Sequence, residues 1–126
     1  VVIVQSFHKP TMRRAESFRD RGVPVGLLLQ PDRAPSGPDT LASIARFADQ
    51  IGPEKSMIDG RPHIVRWAHD AGLRVTPWTF RAADPGRFQG VGAEMAFHLS
   101  ELHVDAVITD NPDQCPRWSR EDEGGA

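Results

Sequence analysis

Apolar residues in this chain come in short runs and in helix-period stripes, separated by turn residues. Residues 1–7 (VVIVQSF) are a continuous apolar run that becomes polar at its end. Such runs suit parallel strands covered on both faces. Residues 25–29 (VGLLL), 73–80 (LRVTPWTF) and 105–109 (DAVIT) read the same way. Pro77 predicts a bulge or a strand end inside the third. Residues 12–21 follow Pro10 and Thr11, precede Gly22, and carry Met12, Ala15 and Phe18 on one helical face. A second helix, capped by Asp39 or Thr40, is expected to carry Leu41, Ile44, Ala45 and Ala48 and to stop at Gly52-Pro53. A third covers 61–71 with Ile64, Val65, Ala68 and Ala71 inward and Gly72 closing it. A fourth covers 93–103, using Met95, Leu99 and Leu102. Residues 31–39 are turn-rich, and 55–58 are expected to be briefly extended. The resulting order is β-α-β-α-(β)-α-β-α-β, which implies right-handed crossovers and a mostly parallel sheet.

Length narrows the options. The chain has 126 residues, enough for one domain. A complete eight-unit (β/α) barrel needs roughly 250 residues. With 39% apolar and 25% charged residues, the composition is globular rather than disordered. No apolar run approaches the ~18–20 residues of a membrane-spanning helix. Fifteen Lys and Arg against 17 Asp and Glu leave a net charge of -2, which gives no reason to expect a nucleic-acid partner. The lone Cys115 excludes an intrachain disulfide and a multi-thiolate metal site. The strand-like start at Val1, with neither methionine nor signal-peptide layout, suggests a piece of a longer chain.

Ligands in parallel α/β folds bind at the carboxyl ends of the strands. Those ends are Gln5-Ser6-Phe7-His8, Leu29-Gln30, Trp78-Thr79-Phe80-Arg81 and Thr109-Asp110-Asn111. Aromatic walls beside amide, hydroxyl and guanidinium groups suit a small polar ligand with an anionic part. The chain has no Walker A loop and no G-x-S-x-G elbow, and Gly90-Val91-Gly92 follows a loop rather than a strand. No two of His8, His63, His69, His98 and His103 lie at i, i+4. Asp59/His63 and Glu94/His98 do have that spacing and read as solvated helix-face pairs. Arg13, Arg14, Arg19 and Arg21, mixed with Glu16 and Asp20, read as a solvated face. Ser6 has no local base, Trp67 reads as packing, and Cys115 reads as inert.

Taken together, the strand ends are distinctive. VIVQSF, then AHDAGLRVTPWTFR, then VDAVITDNPD resembles the C-terminal half of glycerophosphodiester phosphodiesterases. The resemblance implies strands five to eight, with their helices, of a (β/α)8 TIM barrel, over a partial domain of residues 1–117 followed by a flexible acidic tail of 118–126. It also implies hydrolysis of a glycerophosphodiester to glycerol 3-phosphate and an alcohol, assisted by Ca²⁺ or Mg²⁺ in the complete enzyme. The family's metal-binding carboxylates and catalytic histidines lie on the first four strands, so no catalytic and no metal residue is implied in this chain. Substrate-lining roles are implied for Gln5, Ser6 and Phe7 on one side of the pocket, and for Trp78, Thr79 and Phe80 on the glycerol side. Arg81 would attract the anion, and Asp110 and Pro112 would shape the following turn. The TPWTFR wording and the long segment 30–60 are closer to the longer, often periplasmic, branch; cytoplasmic relatives leave the compartment open. The implied partners are the small-molecule substrate and the missing N-terminal half, or a second copy of the chain. Two other readings compete: a free-standing, non-catalytic half-barrel, and a doubly wound sheet, which would show a reversal in strand order.

Overall fold

Four strands pair in parallel and in chain order: β1 (Val4–Ser6), β2 (Val25–Leu29), β3 (Gln50–Pro53) and β4 (Arg74–Val75). The structure, a computed structural model, describes residues 3–8 and 14–116. The expected start of the first helix, with Met12 and Arg13, and the expected tail lie outside the described residues. The order has no reversal, which removes the doubly wound alternative and leaves a barrel segment. Beyond β4 the chain keeps pairing on its far side. Asp105 N donates to Val75 O (2.9 Å), Ile108 N to Pro77 O (3.0 Å), and Phe80 N to Ile108 O (2.9 Å). A parallel bridge joins Phe80 and Thr109. The 105–109 segment, expected to be a strand, runs along the far side of β4 but forms only this one bridge and no regular strand.

Alternation sorts the side chains. Val25, Leu27, Leu29, Ile51 and Val75 point to the helix layer and are buried with Leu41, Ile44, Ile64, Val65 and Ala68. The paired rows Gln5–Gly26–Gln50–Arg74 and Leu28–Gly52 therefore face the other way, into the concave side of the sheet. Neighbouring side chains press into the space beside the glycines. A Cβ on Gly52 would lie 2.5 Å from Leu28 Cδ2, and one on Gly26 would lie 2.9 Å from Gln50 Cγ.

The helices are α1 (Glu16–Asp20), α2 (Pro38–Ile44), α3 (Lys55–Asp59), α4 (His63–Asp70) and α5 (Val91–Ser100). α1 and α4 close as the sequence predicts. Gly22 and Gly72 both adopt positive φ, 79° and 82°. The next residue's N–H bonds back five residues, Val23 to Phe18 O and Leu73 to Ala68 O, both at 2.9 Å.

Two further expectations are corrected. The second helix starts after Gly37, with Asp39 and Thr40 inside its first turn rather than capping it, and ends at Ile44, while residues 50–53 form β3 instead of its last turn. Only Ile51 of that stretch packs into the helix-side core, so the strand lacks an apolar run that sequence reading could find. Pairing with β2 decides it: tertiary hydrogen bonding outweighs local propensity. Residues 55–58 are helical rather than extended. The Glu54 side chain accepts from Ser56 N at 3.0 Å, and Met57 and Ile58 are buried. β4 itself is short because Pro77 cannot donate, as its position in the sequence suggests.

Candidate functional site

The carboxyl ends of β1 and β4 meet across the concave face. Phe7, just past β1, stands edge-on to Trp78, with ring centroids 5.7 Å apart. Phe7 is 45% exposed, so the pair forms a wall open to solvent. Trp78 is fixed from beneath: its indole N–H donates to Gly52 O at 2.6 Å, and its backbone N–H to Pro53 O at 3.1 Å. The Trp78–Thr79 peptide is cis. Gln5 is exposed on the same face as Phe7. Ser6 points to the opposite side by alternation, and its hydroxyl accepts from His8 N at 3.1 Å.

Phe80 lies deeper. It is fully buried with Val91 and Met95 and meets the His98 ring edge-on at 4.9 Å. It presents no surface to a ligand. Arg81 is exposed and donates from Nε to Asp110 at 2.8 Å. Thr79 is half-buried. The 109–111 turn is tied to this edge: Thr109 Oγ1 donates to Phe80 O (2.9 Å), and Ala82 N donates to Asn111 Oδ1 (2.8 Å). Of the seven predicted lining residues, the fold thus places Gln5, Phe7, Trp78, Thr79 and Arg81 at one open end, with Phe80 buried and Ser6 turned away.

The site has neighbours that sequence reading does not bring together. Glu94 and His98 are buried, 3% and 1% exposed, instead of forming a solvated pair. Glu94 binds Lys55, itself buried, at 3.0 Å. Thirty-nine positions separate the two, and no local spacing could reveal them. Asp59 is not paired with His63; it receives two hydrogen bonds from Arg87, at 2.9 and 3.1 Å. Arg87 also lies over the rings of Phe88 and Phe97. Arg19 is likewise more than a solvated charge, since it bonds Asp49 and Arg46 O.

The Arg87 hydrogen bonds hold the Asp59 carboxyl below its ordinary value. A depressed carboxyl stabilises the fold above the unfolded-state pKa near 3.8 and loses that contribution as pH falls through the folded value. Asp59→Asn is therefore expected to lower stability modestly at neutral pH and to match the native chain in strong acid. Urea unfolding at the two pH values checks this. The effect stays small because the pair faces solvent.

Cavity size and chemistry point to different ends of the sheet. The larger cleft, about 760 Å³, opens at the N-terminal ends of the strands between Arg19, Asp49 and Arg74. A groove of about 80 Å³ lies at the carboxyl ends beside Phe7, Leu28 and Arg33. The carboxyl ends are where parallel α/β folds carry ligands, while the opposite face serves stability. Asp49 fits that second role, since it also accepts from Val25 N at 2.9 Å.

A model of the glycerophosphoryl diester phosphodiesterase family matches residues 1–114. The chain belongs to that family. A solved structure from Silicibacter pomeroyi DSS-3 that bears the name glycerophosphoryl diester phosphodiesterase superposes with a TM-score of 0.63 at 23% identity. The alignment covers 89% of this chain and 35% of that one, so the chain spans about a third of that relative's length. At this identity the likeness establishes the fold, a partial (β/α) barrel. No curated protein matches the chain.

Membership gives the strand ends their context. The Phe7–Trp78 wall and the Arg81–Asp110 pair occupy the end of the barrel segment where the fold carries chemistry. Among the described residues, no group of three His, Cys, Asp or Glu side chains lies close enough to hold a metal ion. Two carboxylates near the mouth have partners: Asp110 binds Arg81, and Glu54 binds Ser56.

Proposed function

We propose that this chain forms the substrate-lining part of a metal-dependent glycerophosphodiester phosphodiesterase, which releases glycerol 3-phosphate and an alcohol. The observation that carries the reading is the Phe7–Trp78 contact, which builds an aromatic wall from the carboxyl ends of β1 and β4. The apolar wall covers the carbon face of the glycerol unit, while Gln5 and Thr79 offer hydrogen bonds to its hydroxyls. Arg81 supplies a positive charge for the phosphate, and Asp110 holds it until the anion arrives.

Asp110 and Glu54 at the mouth are engaged, and no three metal-binding side chains cluster among the described residues, which supports assigning the metal to the other part of the barrel. The metal and the acid–base histidines would come from the other part of the barrel, and this chain alone would bind without turning over substrate. Pairing with that part is supported by the sheet edge. Ile3, Phe7 and Phe18, the large apolar side chains exposed among the described residues, all lie on or beside β1 and α1. Among the described residues, β1 is also an edge strand of the sheet. A second copy of the chain is the alternative occupant of that edge.

Binding of glycerophosphocholine, followed through the Trp78 indole N–H signal, tests the site. Phe7→Ala is expected to weaken binding by about tenfold, the size of effect that one aromatic contact supports. Stability should change little, since Phe7 is largely exposed. Unchanged affinity would remove Phe7 from the site.

A further inference from the structure

We propose that Lys55 is a positioning residue for the substrate-facing stretch 78–81; the inference rests on the function proposed above. Lys55 grips that stretch and its continuation at two points. Its backbone N–H donates to Trp78 O at 2.8 Å. Its ammonium donates to Asp84 O at 2.6 Å and lies 3.0 Å from each oxygen of Glu94. Three acceptors match the three donors of an ammonium group. The same ammonium sits 5.5 Å from the Phe80 ring centre, so it lies over the middle of the segment it holds. The far end of α3 repeats the grip, with Asp59 binding Arg87 of the same loop. A five-residue helix thus holds the 82–90 loop at both of its ends.

Stability alone does not explain such a pair. Buried ion pairs can often be exchanged for apolar pairs without loss of stability. An apolar pair cannot bond the Asp84 carbonyl, and that directional bond fixes the path of the chain after Arg81. Lys55 therefore sets where Trp78, Thr79 and Arg81 stand when the ligand arrives.

The test compares two double variants of the full chain. Lys55→Met with Glu94→Leu removes both charges and the bond to Asp84. Lys55→Gln with Glu94→Gln keeps neutral hydrogen bonds. The apolar pair is expected to retain cooperative unfolding, to exchange amide hydrogens of residues 82–88 at least about tenfold faster, and to respond about tenfold more weakly to glycerophosphocholine at the Trp78 indole. The amide pair should keep native exchange and response. Native-like loop exchange and ligand response in the apolar pair would overturn the role. If the apolar pair does not fold, Arg87→Met releases the other end of the loop from the surface; unchanged exchange at residues 85–88 then overturns it. A native chain whose indole ignores glycerophosphocholine overturns the proposed function and the positioning role with it, while exchange still reports separately on the grip.

Discussion

Replacing Lys55 alone with methionine should lower the unfolding free energy by about 3–5 kcal/mol. The cause is the group left behind. Glu94 is 3% exposed, and without the ammonium its carboxylate stays buried beside the 82–90 loop with no counter-charge. The Asp84 carbonyl loses its donor as well. Domains of this size are stable by only roughly 5–15 kcal/mol, so the loss is a large share of the total. Urea unfolding of the single variant measures it. A change under about 1 kcal/mol would mean that the pair is solvated after all, as exposed pairs are.

Phe80→Ala should cost a comparable amount, about 3–5 kcal/mol, by a different route. Phe80 is the largest fully buried side chain, and its removal leaves a cavity bounded by Val91, Met95 and the His98 ring. Its backbone bonds to Ile108, Thr109 and Asp110 would survive, so the strand edge should stay paired while its support softens. Lys55 lies over this ring, and the two losses should not add. A double-mutant cycle by denaturation reads that coupling directly. Full additivity would place the ammonium and the ring in separate environments.

The parts of the fold that the sequence reveals are those whose determinants are local. VGLLL is a buried strand because every second residue packs on helices and its neighbours pack on the concave face. α4 follows its Ile64, Val65 and Ala68 stripe, and Gly72 ends it by adopting positive φ. β3 escapes because its residues are Gln, Ile, Gly and Pro, and only strand pairing makes them a strand. The candidate site divides in the same way. Phe7 and Trp78 stand at strand ends on one face, so the strand order and the concave curve of the sheet bring them together. Lys55, Glu94 and Asp84 are joined only through the folded chain, and nothing in their spacing hints at it. The buried Glu94 and His98 also show how an i, i+4 polar pair can imitate a solvated face when its partners come from elsewhere.

The role proposed above has this chain bind a glycerophosphodiester without cleaving it. The direct measurement is a choline-release assay on the 126-residue chain with glycerophosphocholine and added Ca²⁺ or Mg²⁺, run beside the Trp78 indole titration. The predicted result is a saturable indole response with no release above background. Metal-dependent release of choline by the chain alone would contradict it.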